Sequence, residues 1–232
     1  MIDELAVLEP PSRLVRGEAA YLAGDYADAL DHFEAAAEDG VPEAHAWLGA
    51  LHANGQGVPA SLVRALEHYR QAAQAGHVLS QTNLGAMLVM GQGAAADPQA
   101  GALWLARAAA AGDPYAQFNY AALLGRGQGV ERDEVAARHW CEQAARNGHY
   151  PAQARLGFMH ATGLGGPTDR VQAFAWLSLA GQHGVGSALK SLEGVVGDMS
   201  REERQQGFAL LDRLRASIVS DAALKRLEPL PG

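Results

Sequence analysis

The chain repeats itself every 36 residues, and few constraints on a fold are tighter. Gly40, Gly76, Gly112, Gly148 and Gly184 recur at that interval without drift. Between them run further columns: Ala44, Ser80, Ala116 and Ala152; Leu48, Leu84, Tyr120 and Leu156; Ala65, Gly101, Ala137 and Ala173; His68, Trp104, Trp140 and Trp176; Ala72, Ala108, Ala144 and Ala180. A period of this length marks a solenoid, in which one supersecondary unit cannot bury its own apolar face and stacks on its neighbours. The length of 232 residues is then a count of units rather than the size of one spherical core.

Each row reads as helix, glycine-containing loop, helix, so the expected class is all-α. Ala44, Leu48, Leu51 and His52 fall at spacings of three and four, the buried stripe of a first helix. Gly49, Gly85, Ala121 and Gly157 lie beside that stripe. Glycine inside a helix costs about 1 kcal/mol relative to alanine, so its recurrence implies close helix approach. Paired glycines follow (Gly55 and Gly57, Gly91 and Gly93, Gly127 and Gly129, Gly163 and Gly165), then an N-cap column of Ser61, Asp97, Asp133 and Asp169. The second helix buries the Ala65 column, the Tyr69, Leu105, Cys141 and Leu177 column, and the Ala72 column. It stops at the unit-closing glycine.

The ends differ from the body. Residues 1–11 form an extension, and 12–40 a first hairpin capped by Ser12, whose short Gly24-Asp25 turn resembles that of a tetratricopeptide unit. Residues 41–196 hold the repeats, closing at Gly76, Gly112, Gly148 and Gly184 before a partial unit. Residues 197–220 give a capping helix opened by the Ser200–Glu203 capping box, with Phe208, Leu211, Leu214 and Ile218 as its apolar stripe. The tail is 221–232.

The motif Ala152-x-x-x-Leu156-Gly157, Gly163-x-Gly165, Ala173-x-x-Trp176-x-x-x-Ala180 resembles the Sel-1-like repeat family, relatives of tetratricopeptide proteins. The likeness covers about residues 42–196, and the final segment resembles the terminal helix that follows such arrays. It implies a right-handed α-solenoid of antiparallel helix pairs acting as an adaptor, scaffold or regulator through protein contacts. Secreted members with a disulfide in each repeat have been linked to β-lactam binding; the lone Cys141 departs from that pattern.

Charge is uneven: residues 1–43 hold eleven carboxylates against Arg13 and Arg16, while the remainder is almost balanced within a net charge of -8. A nucleic-acid footprint is not expected, and the acidic end reads as a solvated cap or as a docking site for a basic partner. One cysteine, an acidic start without a basic leader, and no apolar run near 20 residues point to a soluble, cytoplasmic, bacterial-type protein that does not enter a membrane. No cofactor, metal or catalytic residue is expected. Gly-Gln-Gly lacks the strand and lysine of a phosphate loop, the nine histidines give no ligand spacing, and Cys141 sits in a core column.

Function should reside on the first-helix face opposite the buried stripe, the concave wall. Helical phase places Trp47, Asn54, Asn83, Met90, Phe118, Asn119, Arg126, Arg155 and Phe158 there, with Thr82 and Ala154. Aromatic residues are the anchors, and in tetratricopeptide relatives asparagines near Asn83 and Asn119 can bond a peptide backbone. The reading is a non-enzymatic adaptor or scaffold that binds a partner peptide or helix. The alternatives are an immunity-type neutraliser that occludes one enzyme or receptor, and a hydrolase with a pocket in the superhelix.

Overall fold

The structure, a computed structural model, describes residues 11–227, with side chains to residue 218. Twelve α-helices and no strands occur among the described residues. The chain divides into two compact units, Met1–Asp97 and Pro98–Gly232. The N-terminal unit contains α1 (Arg13–Ala23), α2 (Tyr26–Glu38), α3 (Pro42–Asn54), α4 (Leu62–Gln74) and α5 (Val78–Met90). The C-terminal unit contains α6 (Pro98–Ala110), α7 (Pro114–Arg126), α8 (Glu134–Arg146), α9 (Tyr150–Thr162), α10 (Arg170–Gln182), α11 (Gly186–Asp198) and α12 (Arg201–Leu227). Within each unit the helices from α1 to α11 pack on their neighbours in sequence, α11 also touches α9, and α12 lies on α10. This is solenoid packing.

Glycine sets the spacing of the helices. A Cβ on Gly49 of α3 would stand 2.7 Å from the Tyr69 ring of α4, and one on Gly157 of α9 would stand 2.6 Å from Leu177 of α10. Gly17 of α1 faces Phe33 of α2 in the same way, at 2.6 Å. The second glycine of each loop works between repeats. Gly57, Gly93, Gly129 and Gly165 all have φ between 71° and 79°. A Cβ there would come within 2.4 Å of a backbone oxygen in the first turn of the preceding second helix, that of Tyr26, Leu62, Pro98 or Glu134. Each loop therefore rests backbone to backbone on the repeat before it. The first hairpin has no described helix before α1 and uses only the short Gly24-Asp25 turn.

Caps close the helices. Asp133 and Asp169 accept amide bonds at 2.9 Å from Ala136 and Gln172, and Ser61 accepts one at 3.3 Å from Arg64. At the first helices His77, Asp113 and His149 do the same for Ser80, Ala116 and Ala152, so two of the nine histidines serve as N-caps. In the capping box Glu203 Oε2 accepts from the Ser200 amide at 2.7 Å, while Ser200 Oγ accepts from the Glu203 amide at 3.1 Å. The helix it opens runs to Leu227, past the expected end at 220, and residues 228–232 of the expected tail lie outside the described residues. Leu211 and Leu214 are buried on α10, but Phe208 is 58% exposed; Gly207 takes the buried place, where a Cβ would stand 2.6 Å from Phe174.

A column of glutamines, not singled out above, ties hairpins together. Gln81, Gln117 and Gln153 each donate from Nε2 at 3.2 Å to a carbonyl in the last turn of the preceding second helix, on Ala73, Ala109 and Ala145. Each of these carbonyls also accepts the amide of the unit-closing glycine, Gly76, Gly112 or Gly148, at 3.0–3.2 Å, so the glutamine takes up its second acceptor site. In the N-terminal repeat the column holds His45, whose Nδ1 lies 3.1 Å from Nδ1 of His68 on α4. His52 stacks on the other side of His68, with ring centroids 5.4 Å apart and planes 5° from parallel. One of the paired rings must be a neutral acceptor, because two protonated rings would both be donors. Burial, with repulsion from His45, His52 and Arg64, pushes His68 down to about 4, and burial lowers His45 and His52 as well. Glu34 opposes the shift at His52 without reversing it.

Two measurements test these contacts. Gly157→Ala should lose about 1–3 kcal/mol in urea unfolding through overpacking against Leu177. Gly194→Ala, on α11 with no atom near the added carbon, should gain roughly 0.5–1 kcal/mol through helix propensity. For the imidazole stack, the unfolded chain protonates near the ordinary 6.5 whereas folded His68 resists until about 4. The unfolded state thus holds more protons inside that window, and stability falls as pH falls through it. Unfolding midpoints measured from pH 7 to 4 should decline less steeply for His68→Gln than for the unaltered chain.

Candidate functional site

The expected partner-binding residues divide between the two units. In the N-terminal unit Trp47 is partly buried and stacks on Phe33, with centroids 5.3 Å apart and planes 1° from parallel; Tyr21 closes on its other edge at 4.9 Å. It is a packing residue between hairpins. Asn83 is exposed, but its side chain bonds the Tyr69 hydroxyl. Asn54 Nδ2 donates at 3.3 Å to Gln56 Oε1, which also receives the Tyr21 hydroxyl. Met90 is 60% exposed at the end of α5. Thr82, expected on the free face, is instead buried, its hydroxyl bonded to the Val78 carbonyl at 3.3 Å.

In the C-terminal unit three of the expected residues gather at one cleft. Phe118 and Arg126 of α7 and Arg155 of α9 line a recess of about 300 Å³, with Ala121, Ala122 and Gly125 beside them. Ala137 and Cys141 of α8, Met159 of α9 and Leu164 complete its apolar walls. Phe158 stands next to it, 38% exposed, with the Arg155 guanidinium 5.7 Å from its ring centroid. Asn119 is half-buried on α7 and does not line the recess. Ala154, placed on the free face by phase, is buried instead, within the cluster of Ala173, Phe174 and Leu177 on α10.

The cleft exists because one row departs from the repeat. Where α4 and α10 place Tyr69 and Leu177 against a glycine of the partner helix, α8 places Cys141, and α7 carries Ala121 in the glycine column. Two small side chains meet there, and both line the recess. Cys141 is fully buried, donates its thiol to the Ala152 carbonyl at 3.4 Å, and is pushed up to about 12 by burial. It is a thiol, not a thiolate nucleophile, at neutral pH.

Charge at the cleft mouth is positive. Arg132 is ion-paired with Glu134, whereas Arg126 and Arg155 form no ion pair among the described residues. Arg126 lies in the last turn of α7, where the helix dipole favours a cation. The other perturbed groups are spread through the packing rather than converging on the recess. His160, for example, is pushed down to about 4 by burial and by Arg138, whose Nη2 approaches its Nδ1 at 2.6 Å. No cluster of three or more metal-ligating side chains occurs among the described residues, and none of their helices is long and apolar enough to cross a membrane.

Comparison with solved structures gives the same architecture. The chain superposes with a TM-score of 0.82 and 26% identity on a protective antigen of uropathogenic Escherichia coli strains that displays an SLR fold, over 95% of its own length and 49% of the antigen's. It thus spans about half of that protein. A Sel1 repeat protein from Oxalobacter formigenes matches with a TM-score of 0.71 and 26% identity, over 77% of this chain and 74% of that one. An immunity protein from Pseudomonas aeruginosa shares the fold at a TM-score of 0.51 and 18% identity, over 96% of this chain and 90% of the other. No curated protein matches the chain. The Sel1 repeat profile matches residues 16–41, 42–77, 78–113, 114–149 and 151–185, so it takes in the first hairpin, whose turn looks tetratricopeptide-like, and stops before α11. With five matched repeats over most of its length, the chain belongs to the Sel1 repeat family.

Proposed function

We propose that this protein is a non-enzymatic interaction module, an adaptor or scaffold that holds a segment of a partner protein on its first-helix face. Sel1 repeat proteins typically serve as protein-interaction scaffolds. The observation that carries the reading for this chain is the gathering of Phe118, Arg126 and Arg155, with Phe158 beside them, around an apolar cleft on α7 and α9. An exposed aromatic ring and two arginines that have no carboxylate partner among the described residues are side chains of the kinds enriched at protein interfaces. Asn119, half-buried on α7, is the residue read as bonding a partner's backbone. In the N-terminal unit Asn54, Asn83 and Met90 are further candidate contacts, whereas Trp47 serves packing between hairpins.

The cleft favours binding over catalysis. Its thiol is protonated at neutral pH, and its one carboxylate, Glu134, is engaged by Arg132. A bound segment therefore meets positive charge and apolar surface without an activated nucleophile.

Affinity purification of the tagged chain from its native cell, read by mass spectrometry, should recover one dominant partner. Asn119→Ala combined with Phe158→Ala should weaken that complex by about 1–2 kcal/mol per anchor residue while leaving the helical circular dichroism unchanged. Undiminished recovery with the double variant would reject this face. Partner activity measured with and without the chain separates a scaffold, which leaves it intact, from a neutraliser, which abolishes it.

A further inference from the structure

We propose that the α7–α9 cleft is a receptor for an acidic segment of another protein, with one bulky apolar side chain inserted between Phe118 and Met159 and flanking carboxylates held by Arg126 and Arg155. This rests on the interaction-module reading and specifies the chemistry of the partner. The apolar requirement comes from the floor, where Ala121, Ala137, Cys141 and Met159 present no free polar side chain. A polar group inserted there would lose its water without gaining a partner. The size, about 300 Å³, is at the small end of binding pockets and suits one side chain rather than a cofactor.

The acidic requirement comes from the rim. Of its three arginines only Arg132 has a carboxylate among the described residues, so two cationic forks face the mouth uncompensated. Guanidinium groups take carboxylates with two parallel bonds, which adds geometric selection to charge. Arg155 is also braced, since its guanidinium lies over the Phe158 ring, which narrows the positions that it samples. A basic or neutral segment would leave both forks unpaired and bring no compensating charge.

The test uses the full chain and a short fluorescein-labelled peptide with one leucine between pairs of glutamates, followed by fluorescence anisotropy. Binding should be saturable, should weaken as salt is raised, and should be lost when the glutamates are replaced by glutamines or the leucine by alanine. Arg126→Gln and Arg155→Gln should each weaken it roughly two- to fivefold, the range for exposed ion pairs, with thermal unfolding unchanged because neither side chain makes an ion pair among the described residues. Cys141→Leu should abolish binding by filling the floor; should that variant unfold, Met159→Ala, which enlarges the recess and removes apolar contact, gives the same comparison. Equal binding of the glutamine peptide, or indifference to both arginine variants, overturns the proposal. So does sedimentation showing that the chain pairs with itself through Arg126 and Arg155, because the occupant is then its own acidic end. These results are separable from failure of the interaction reading, in which the partner recovered from cells does not depend on this face at all.

Discussion

Absent side chains hold this structure together. Where α3 meets α4 and α9 meets α10, a glycine lets the Tyr69 ring or the Leu177 side chain lie against helix backbone. Each such glycine forfeits about 1 kcal/mol of helix propensity, and burying a side chain of that size returns about 1.5–3 kcal/mol. The same device joins successive repeats, since the second loop glycine places its backbone on the first turn of the preceding second helix. There the left-handed φ and the contact both exclude a Cβ, so the glycine is fixed twice over. Thirteen-residue helices are marginal alone, and these contacts let them stand by stacking.

Much of this was legible because stacking turns three-dimensional contacts into columns. The closing glycines, the N-cap residues Ser61, Asp133 and Asp169, and the buried Ala65 and Ala72 columns all keep one register. The glutamines Gln81, Gln117 and Gln153 keep it too, and their common interval was the available signal. Their partners were not legible, because each bonds a carbonyl on the preceding hairpin and a helical wheel contains only its own helix. Trp47 and Thr82 illustrate the same limit. Phase alone puts both on the open face, but Phe33 of the preceding hairpin receives Trp47, and Thr82 is packed away from solvent. Exposure in a solenoid is settled between hairpins, so a reading one helix at a time assigns the stripe better than its margins.

The candidate site was half legible for a related reason. Helical phase gives Phe118, Arg126 and Arg155 a common face, but their meeting at one recess depends on what lies beneath them. The column that holds Tyr69, Leu105 and Leu177 reads as core at every position, so Cys141 passes as one more apolar residue. Its volume matters more than its polarity. A small side chain facing Ala121 withdraws packing from both helices, and the rim arginines then stand over a hollow.

Regularity and specificity are therefore divided between different residues of the same repeat. Positions that contact neighbouring hairpins tolerate little change, because an altered glycine or alanine disturbs two units at once, and they carry no information about a partner. A local departure that leaves the spacing intact can carry that information. Cys141 meets the condition, since it is fully buried, α7 and α8 still pack as a hairpin around it, and it lines the same recess as Arg126 and Arg155. Arg126 adds its charge at an end of α7 where the helix dipole already favours a cation, so the rim gains charge without placing a cost on the fold. A repeat scaffold can acquire a binding site in this way, by removing volume beneath a surface that its period has already positioned.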